Sequence, residues 1–427
     1  MYQIKKEVIA LITIVDAICG KGKTSFAIQY MNENVDKKFI YITPYLDEVE
    51  RVIEGCYNRY FEQPKAERGK GSKLEDFNQL LSKGKNIVST HALFSLVNED
   101  TLKYLKENEY TLILDEVFNV IENINITKSD REILLNSKVK VEEDGRLTWL
   151  DKEYNGNLNE YRKQIEYGDV YIYDNCFLLW TFPIKIFNSI KETYILTYMF
   201  NGQLQRYYYD MNNISYEYKS VVSYQREMLD DSDVINKTFY KLTEYEPNED
   251  LTYLKNLINI CDNNKLNAIG KQKDKRSNPL SVGWYKKQKS KNLDGFDILK
   301  KNMENYFKNI CKSKSSDNAW TTFKNYIPQC KGNGYSKGFI PCNARATNEY
   351  RHKKNLAYCI NVFNNPVLNS FFTNKGVTID EDTYALSELI QWVFRSQLRD
   401  NKPINIYIPS ERMRNLFIDW LNNNYTI

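Results

Sequence analysis

VIALITIVDAICGKGKTSFAIQYMNE, residues 8–33, decides the fold of this chain. An apolar run leads directly into a loop with two glycines, and the loop leads into a segment of helical character. In such a loop the backbone amides turn inward around phosphate groups, a lysine reaches the β and γ oxygens, and a threonine offers its hydroxyl to magnesium. We therefore assign ATP and Mg²⁺ binding to this loop, with the residues Ala17, Gly20, Lys21, Gly22, Lys23, Thr24 and Ser25.

A second apolar run ends in an acidic pair. In TLILDEVF, residues 111–118, Asp115 and Glu116 follow four apolar or β-branched residues. A carboxylate at the end of a buried strand beside the phosphate loop can hold Mg²⁺ through water, and its neighbour can orient and deprotonate the attacking water. We assign Thr24 and Asp115 to the metal, and Glu116, together with Asp115 and Lys23, to phosphoryl transfer.

The first 120 residues alternate short apolar runs with polar stretches of helical length. The runs at 8–15, 38–43, 86–90 and 111–117 predict a parallel sheet that is covered on both faces. The chain is too long for one ordinary core, so we expect two α/β lobes with parallel sheets, over residues 1–205 and 206–427.

The stretch at about 121–180 is more acidic and less regular than its surroundings. Within it, KVKVEEDGRLTWL (138–150) alternates in period two around Asp144 and Gly145, which predicts a β-hairpin. We interpret this stretch as a segment inserted into the first lobe.

The composition sets limits on partners and location. A formal charge of +4 neither supports nor excludes nucleic acid, so a binding surface must come from local clustering. The eight cysteines contain no CxxC pair and the chain has only two histidines, which predicts reduced, structural thiols rather than a zinc site. The N-terminal apolar run has no small-residue cleavage site and is far shorter than the roughly 20 residues that span a bilayer. We expect a cytoplasmic protein that does not bind membranes.

The strongest basic cluster lies at residues 265–291. Nine Lys or Arg residues here accompany a single acid, Asp274, with Trp284 and Tyr285 among them. The cluster fits a solvated loop and equally fits a surface that follows phosphates, with aromatic rings for stacking on bases. The second interpretation would use Lys271, Lys273 and Lys275.

The glycine loop has the form AxxGxGKT, which resembles motif I of the superfamily 2 helicases, and the acidic pair resembles their motif II. Segments 41–51 and 87–94 resemble motifs Ia and Ib, which follow strands and contact the nucleic-acid backbone. YILTYMF (194–200) occupies the place of motif III, where Thr197 fits the family pattern and the next two residues depart from it. The resemblance implies nucleic-acid contacts for Thr43, Pro44, Thr90 and His91, although a structural role for His91 is equally compatible with the pattern.

Two segments of the second lobe resemble later motifs. NARATN (343–348) resembles motif V, which implies phosphate or nucleotide contacts for Arg345, Thr347 and Asn348. QWVFRSQLR (391–399) resembles motif VI, for which the family pattern is QxxGRxxR.

The motif VI-like segment keeps part of the family spacing. Gln391 and Arg395 match, Phe394 replaces the glycine, and Arg399 comes one residue late. If the segment is helical, Gln391, Arg395 and Arg399 lie along one face, and the resemblance implies that an arginine reaches the γ-phosphate from the other lobe. The alternative is a pair of surface arginines on an amphipathic helix whose Trp392 and Leu398 face the core.

The order of these motifs resembles that of superfamily 2 DNA helicases of the bacteriophage-encoded type. The resemblance implies two RecA-like lobes and an ATP-dependent motor that acts on single-stranded or forked nucleic acid, DNA rather than RNA. It also implies a role in phage replication or recombination, with replication proteins as further partners. It does not cover residues 205–335, where motif IV would fall. Two alternatives stay open: a terminase-like packaging ATPase with a nuclease domain, and a nucleic-acid-binding protein that uses ATP only as a switch.

Overall fold

Two compact units make up the protein. The computed structural model describes residues 11–151, 153–230, 233–247, 249–274, 277–343 and 349–425. Unit 1 comprises Met1–Tyr245 and Pro366–Ile379, and unit 2 comprises Glu246–Asn365 and Asp380–Ile427. Each unit is built on a parallel sheet, so the predicted α/β class with two RecA-like lobes is confirmed.

Unit 1 contains thirteen of the strands that the structure describes. They are β1 Leu11–Asp16, β2 Lys38–Thr43, β3 Phe61–Glu62, β4 Asn86–Thr90, β5 Tyr110–Asp115, β6 Ile121–Asn123, β7 Val139–Val141, β8 Leu147–Trp149, β9 Asp169–Tyr173, β10 Phe177–Thr181, β11 Glu192–Thr197, β12 Tyr216–Asp230 and β13 Asp233–Glu244. Its helices are α1 Lys23–Glu33, α2 Leu46–Gly55, α3 Lys73–Ser82, α4 His91–Phe94, α5 Glu99–Glu107, α6 Lys128–Ser137, α7 Asn159–Tyr167, α8 Ile184–Phe187, α9 Leu204–Met211 and, from the second segment, α15 Pro366–Asn374.

The main sheet of unit 1 has eight strands in the order β13-β12-β1-β11-β5-β2-β4-β3. All neighbouring strands are parallel except the pair β12–β13. Strand β11 lies between β1 and β5, with Val15 opposite Leu196 and Leu196 opposite Asp115. The carboxyl ends of these three strands therefore share one edge, and helices cover both faces, which explains the nearly continuous apolar runs.

The division between the units follows Tyr245, whereas we expected it at about residue 205. The reason is strand pairing: Tyr216–Lys219 of β12 pair with Ile12–Val15 of β1, which binds the whole β12–β13 hairpin to the first sheet. Residues 205–210, just before this hairpin, lie in helix α9. Its three tyrosines are buried in the core, where helical spacing lets them pack between neighbouring elements.

The segment over residues 121–180 forms a small subdomain within unit 1. It consists of the antiparallel sheet β6-β10-β9, the hairpin β7–β8 and helices α6 and α7, around a core of its own. The predicted hairpin is present: Gly145 takes a φ of 84°, and the backbone amide of Arg146 donates to Oδ1 of Asp144 at 3.0 Å.

Helix α15 comes from far along the sequence to complete unit 1. Leu368, Phe371 and Phe372 pack into the main core of that unit. Nζ of Lys375 donates to the carbonyl oxygen of Asp144 in the hairpin at 2.8 Å.

Unit 2 has a four-stranded sheet in the order β14-β17-β16-β15, with every pair parallel. Its strands are β14 Ile258–Ile260, β15 Asn318–Thr321, β16 Asn355–Tyr358 and β17 Ile404–Tyr407. Its α-helices are α10 Thr252–Leu257, α11 Asn264–Asn267, α12 Val282–Ser290, α13 Gly295–Asn305, α14 Ile327–Cys330, α16 Glu381–Val393 and α17 Glu411–Leu421. A π-helical turn, Tyr306–Ile310, extends α13.

All eight cysteines are free thiols, as predicted. Across the described ranges, no helix is long and apolar enough to cross a membrane.

Candidate nucleotide-binding site

The glycine loop connects β1 to α1 at the carboxyl edge of the main sheet. Gly20 and Gly22 have φ values of 90° and 92°, a left-handed conformation that costs little without a side chain. Helix α1 begins at Lys23, so the unpaired amides of its first turn are directed toward the loop. Nζ of Lys23 donates to the carbonyl oxygens of Ala17 and Ile18, the second at 3.2 Å. The ammonium is thus held within the loop, where a phosphate would meet it.

Asp115 ends β5 beside this loop. Its Oδ2 accepts hydrogen bonds from Tyr41 Oη at 2.8 Å and from Thr24 Oγ1 at 3.5 Å. Desolvation of the carboxylate, followed by the nearby charge of Glu116, raises the pKa of Asp115 to about 7. A carboxylate whose ionised form is destabilised by burial fits a site for a divalent cation, because the positive charge of the cation would stabilise the ionised form.

Glu116 has a strained backbone and an unpaired carboxylate oxygen. Its φ is 68°, and its amide donates to the carbonyl oxygen of Leu196 at 3.0 Å. Within the described part of the chain, its buried Oε2 has no hydrogen-bond partner. Backbone strain of about 1–3 kcal/mol typically collects at functional sites, and an unpaired carboxylate is suited to accept a proton from water.

Sequence reasoning missed Asp16, the last residue of β1. Its buried carboxylate accepts from the amides of Met199 and Phe200 at 3.0 and 2.8 Å. Met199 takes a φ of 57°, so Asp16 fixes a tight turn after β11. An acidic residue at the end of an apolar run, directly before the glycine loop, was the signal that could have identified it. Thr197 of the motif III-like segment is buried at the end of β11.

The residues of the motif Ia- and Ib-like segments lie near the same edge of the sheet. Thr43 ends β2 and is buried, and Pro44 follows it half-buried. Thr90 caps α4 by accepting from the amide of Leu93. Nε2 of His91 hydrogen-bonds the carbonyl oxygen of Asp115 at 3.0 Å, so this histidine supports the acidic pair.

The helix of the motif VI-like segment is shorter than its pattern indicated. Helix α16 ends at Val393, and the next backbone bonds, such as Arg395 to Trp392, are turn-like. Arg399 lies in a separate 3-10 turn, Gln397–Asp400, and the side chain of Ser396 caps this turn by accepting from the amide of Leu398. The expectation of one continuous helical face was therefore wrong, because Ser396 starts a new element.

The burial of the same segment also argues against an amphipathic surface helix. Gln391 and Arg395 are both buried, and Arg399 is half-buried. Trp392 and Leu398 are buried as well, so polar and apolar members of this segment are shielded from solvent alike.

Several expected nucleic-acid residues lie outside the described residues, namely Arg345, Thr347, Asn348 and Lys275. Lys271 and Lys273 are exposed. Tyr285 is fully buried and donates its hydroxyl to the carbonyl oxygen of Cys359 at 2.6 Å, so the expectation that it could stack on a base was wrong. Its position on the inner face of α12 determines this burial, and Trp284 beside it is half-buried.

Comparison with known proteins identifies relatives along nearly the whole chain. Residues 121–180 match the family model "YonV middle domain", and residues 252–421 match "YonV C-terminal Rossmann-like domain". The chain is 40% identical over 426 residues to the SPbeta prophage-derived protein YonV of Bacillus subtilis (strain 168), covering 96% of this chain and 99% of that protein. The subdomain at 121–180 is thus a unit that the family model also delimits.

Two solved structures are similar at low identity. One is named XPD_APO, with a TM-score of 0.49 and 11% identity, covering 96% of this chain and 95% of that one. The other is S. tokodaii Xpd4, with a TM-score of 0.44 and 13% identity, covering 96% and 93%. Both TM-scores lie below 0.5.

Proposed function

We propose that this chain, which belongs to the YonV family, is an ATP-driven nucleic-acid motor of the superfamily 2 helicase type. One observation carries the proposal: the glycine loop and the acidic pair meet at one edge of the sheet. Thr24 Oγ1 lies 3.5 Å from Asp115 Oδ2, and Glu116 follows with an unpaired carboxylate oxygen.

Each residue of this edge has a role in the proposed reaction. The first-turn amides of α1 and the ammonium of Lys23 bind the β and γ phosphates of ATP. Thr24 and Asp115 would hold Mg²⁺, which supplies positive charge to the β and γ oxygens when bound. Glu116 orients the attacking water and accepts its proton, so that ADP and phosphate are formed. His91 keeps the acidic pair in place through the carbonyl oxygen of Asp115.

The nucleic-acid side of the proposal comes from the motif resemblance and from the prophage origin of the YonV relative. Single-stranded or forked DNA, rather than RNA, is the proposed substrate, in phage replication or recombination in the host cytoplasm and with replication proteins as partners. The backbone contacts assigned to Thr43, Pro44 and Thr90 involve phosphates, so little sequence specificity is expected.

ATP turnover by the purified protein, with and without single-stranded DNA, duplex DNA or RNA, tests this proposal. Turnover should rise with single-stranded DNA and be abolished in Lys23→Ala, because the phosphates lose their main side-chain counter-charge. Lys106→Ala, which removes an exposed lysine of α5 in the same unit, is the matched control and should behave like the wild type. Turnover that no nucleic acid changes would exclude a motor, and unaffected turnover in Lys23→Ala would exclude the loop assignment.

A further inference from the structure

The order of the strands predicts how ATP would be oriented in the proposed site. Strands β11 and β5, which carry the acidic pair, lie on one side of β1, and the β12–β13 hairpin lies on the other. A triphosphate held by the glycine loop with its γ end at Asp115 extends away from β5. Its nucleoside end therefore points toward the hairpin.

The β12–β13 hairpin extends beyond the carboxyl end of β1, on the side where the nucleoside would lie. The pairing of β12 with β1 ends at Lys219, opposite Val15, while β12 and β13 continue to pair with each other beyond it. Tyr240 of β13 pairs with Ser223, above this edge. A Cβ atom built on Gly22 would come within 2.1 Å of Cε1 of Tyr240, so the ring lies directly against the phosphate loop.

Helix α1 fixes the position of this tyrosine. The amide of Tyr240 donates to Oε1 of Gln29 at 2.8 Å, and Nε2 of Gln29 donates to the carbonyl oxygen of Tyr240 at 3.1 Å. One side chain of the helix that binds phosphate thus satisfies both backbone groups of Tyr240. The backbone that carries the ring is held in place before any ligand arrives, which lowers the entropy cost of using the ring for binding.

A cavity adjoins the ring. Its volume is about 260 Å³. Along α1 the lining extends from Ser25, the residue after Thr24, through Gln29 to Glu33, and opposite the helix it includes Gly55, Tyr57 and Asn58 together with residues 237–240 of β13. Pockets for drug-sized ligands span roughly 300–1,000 Å³, so this volume suits a group the size of a nucleoside. The cavity begins next to the phosphate-binding turn and carries aromatic side chains on its hairpin side.

We propose that Tyr240 and this cavity form the nucleoside subsite of the ATP site, with the nucleobase stacked on the tyrosine ring. The inference rests on the proposed function, because it needs a triphosphate in the glycine loop. Stacking of a base on an aromatic ring contributes about 1–3 kcal/mol in nucleic-acid complexes, and the ring face alone provides it. The β12–β13 hairpin thereby serves as a wall of the nucleotide site.

The test compares the binding of Mg²⁺-ATP with that of Mg²⁺-tripolyphosphate, which has the phosphates and lacks the nucleoside. Tyr240→Ala should weaken ATP binding about 10- to 100-fold and leave tripolyphosphate binding within about threefold. Tyr240→Phe keeps the ring and should bind both ligands like the wild type. The matched control is Tyr167→Ala, at the end of α7 in the same unit, which removes an exposed tyrosine outside the cavity lining and should not affect either ligand.

The outcomes separate this inference from the function on which it rests. Equal weakening of both ligands in Tyr240→Ala, or unchanged ATP binding, overturns the nucleoside subsite and leaves the glycine loop assignment intact. A loss of ATP binding in Tyr240→Phe as large as that in Tyr240→Ala overturns the stacking. If neither ligand binds the wild-type protein, both proposals fail together.

Discussion

Replacing Asp115 by asparagine should stabilise the protein while abolishing its proposed activity. The pKa of Asp115 is raised to about 7 in the folded chain, from 3.8 when unperturbed, chiefly because the carboxylate is desolvated. The stability that this group contributes is fully present below pH 3.8 and is lost as the pH rises through about 7. At pH 8 the wild type therefore carries an ionised carboxylate that destabilises the folded state. The asparagine variant carries a neutral amide at the same position and avoids this cost.

The size of the effect follows from the shift. A shift of about three pKa units corresponds to about 4 kcal/mol, and Asp115 keeps some exposed surface, so we expect about 2 kcal/mol. In a domain of this size, that amounts to an increase of about 4–8 °C in the melting temperature. The advantage of Asp115→Asn should shrink by most of this amount between pH 8 and pH 5.

Calorimetric unfolding at pH 8 and pH 5, without Mg²⁺ or nucleotide, measures this difference. Asp76→Asn is the control, because the carboxylate of Asp76 is buried but paired with Arg68 at 2.9 Å. That substitution should destabilise the protein at both pH values, since it removes the partner of a cation. If Asp115→Asn is no more stable than the wild type at pH 8, or if its advantage is the same at pH 5, the electrostatic account of this edge is wrong.

Three further variants test the other proposed roles. Glu116→Gln should bind ATP normally and lower turnover by about 10² or more, because the amide keeps the shape and loses the base; turnover within twofold of wild type would assign the base to another residue. Arg395→Ala should lower turnover by about 10³ and leave ATP affinity within about tenfold if the arginine neutralises charge in the transition state; unchanged turnover would exclude that role. Changing Lys271, Lys273 and Lys275 to glutamate should weaken DNA binding and flatten its dependence on salt between about 50 and 200 mM; an unchanged slope would favour a solvated loop.

The sequence predicted those features that depend on local patterns. The glycine loop, the strand that ends at Asp115 and the hairpin at Gly145 all appear where their patterns place them. In each case a few consecutive residues determine the backbone: glycines allow a left-handed φ, and alternating apolar residues require a buried face.

The features that the sequence did not predict depend on contacts between distant residues. The pairing of β12 with β1 joins residues about two hundred positions apart, and no local signal marks it. The contact of Tyr240 with Gly22 follows from that pairing. The end of α16 at Val393 depends on Ser396, whose side chain can cap a new turn or point away from one. The local sequence pattern around Ser396 does not predict whether its side chain caps a new turn.

Helix α15 has a consequence for the synthesis of the protein in the cell. A ribosome releases residues up to Tyr245 well before Pro366, and at about 5–20 residues per second the interval is roughly 6 to 24 s. During this time the nascent first unit lacks Leu368, Phe371 and Phe372, which later fill part of its core. We expect the apolar recess to attract chaperones or other nascent chains until α15 arrives. A fragment that stops at Tyr245 would expose this recess permanently, and we expect such a fragment to aggregate unless residues 366–379 are joined to it.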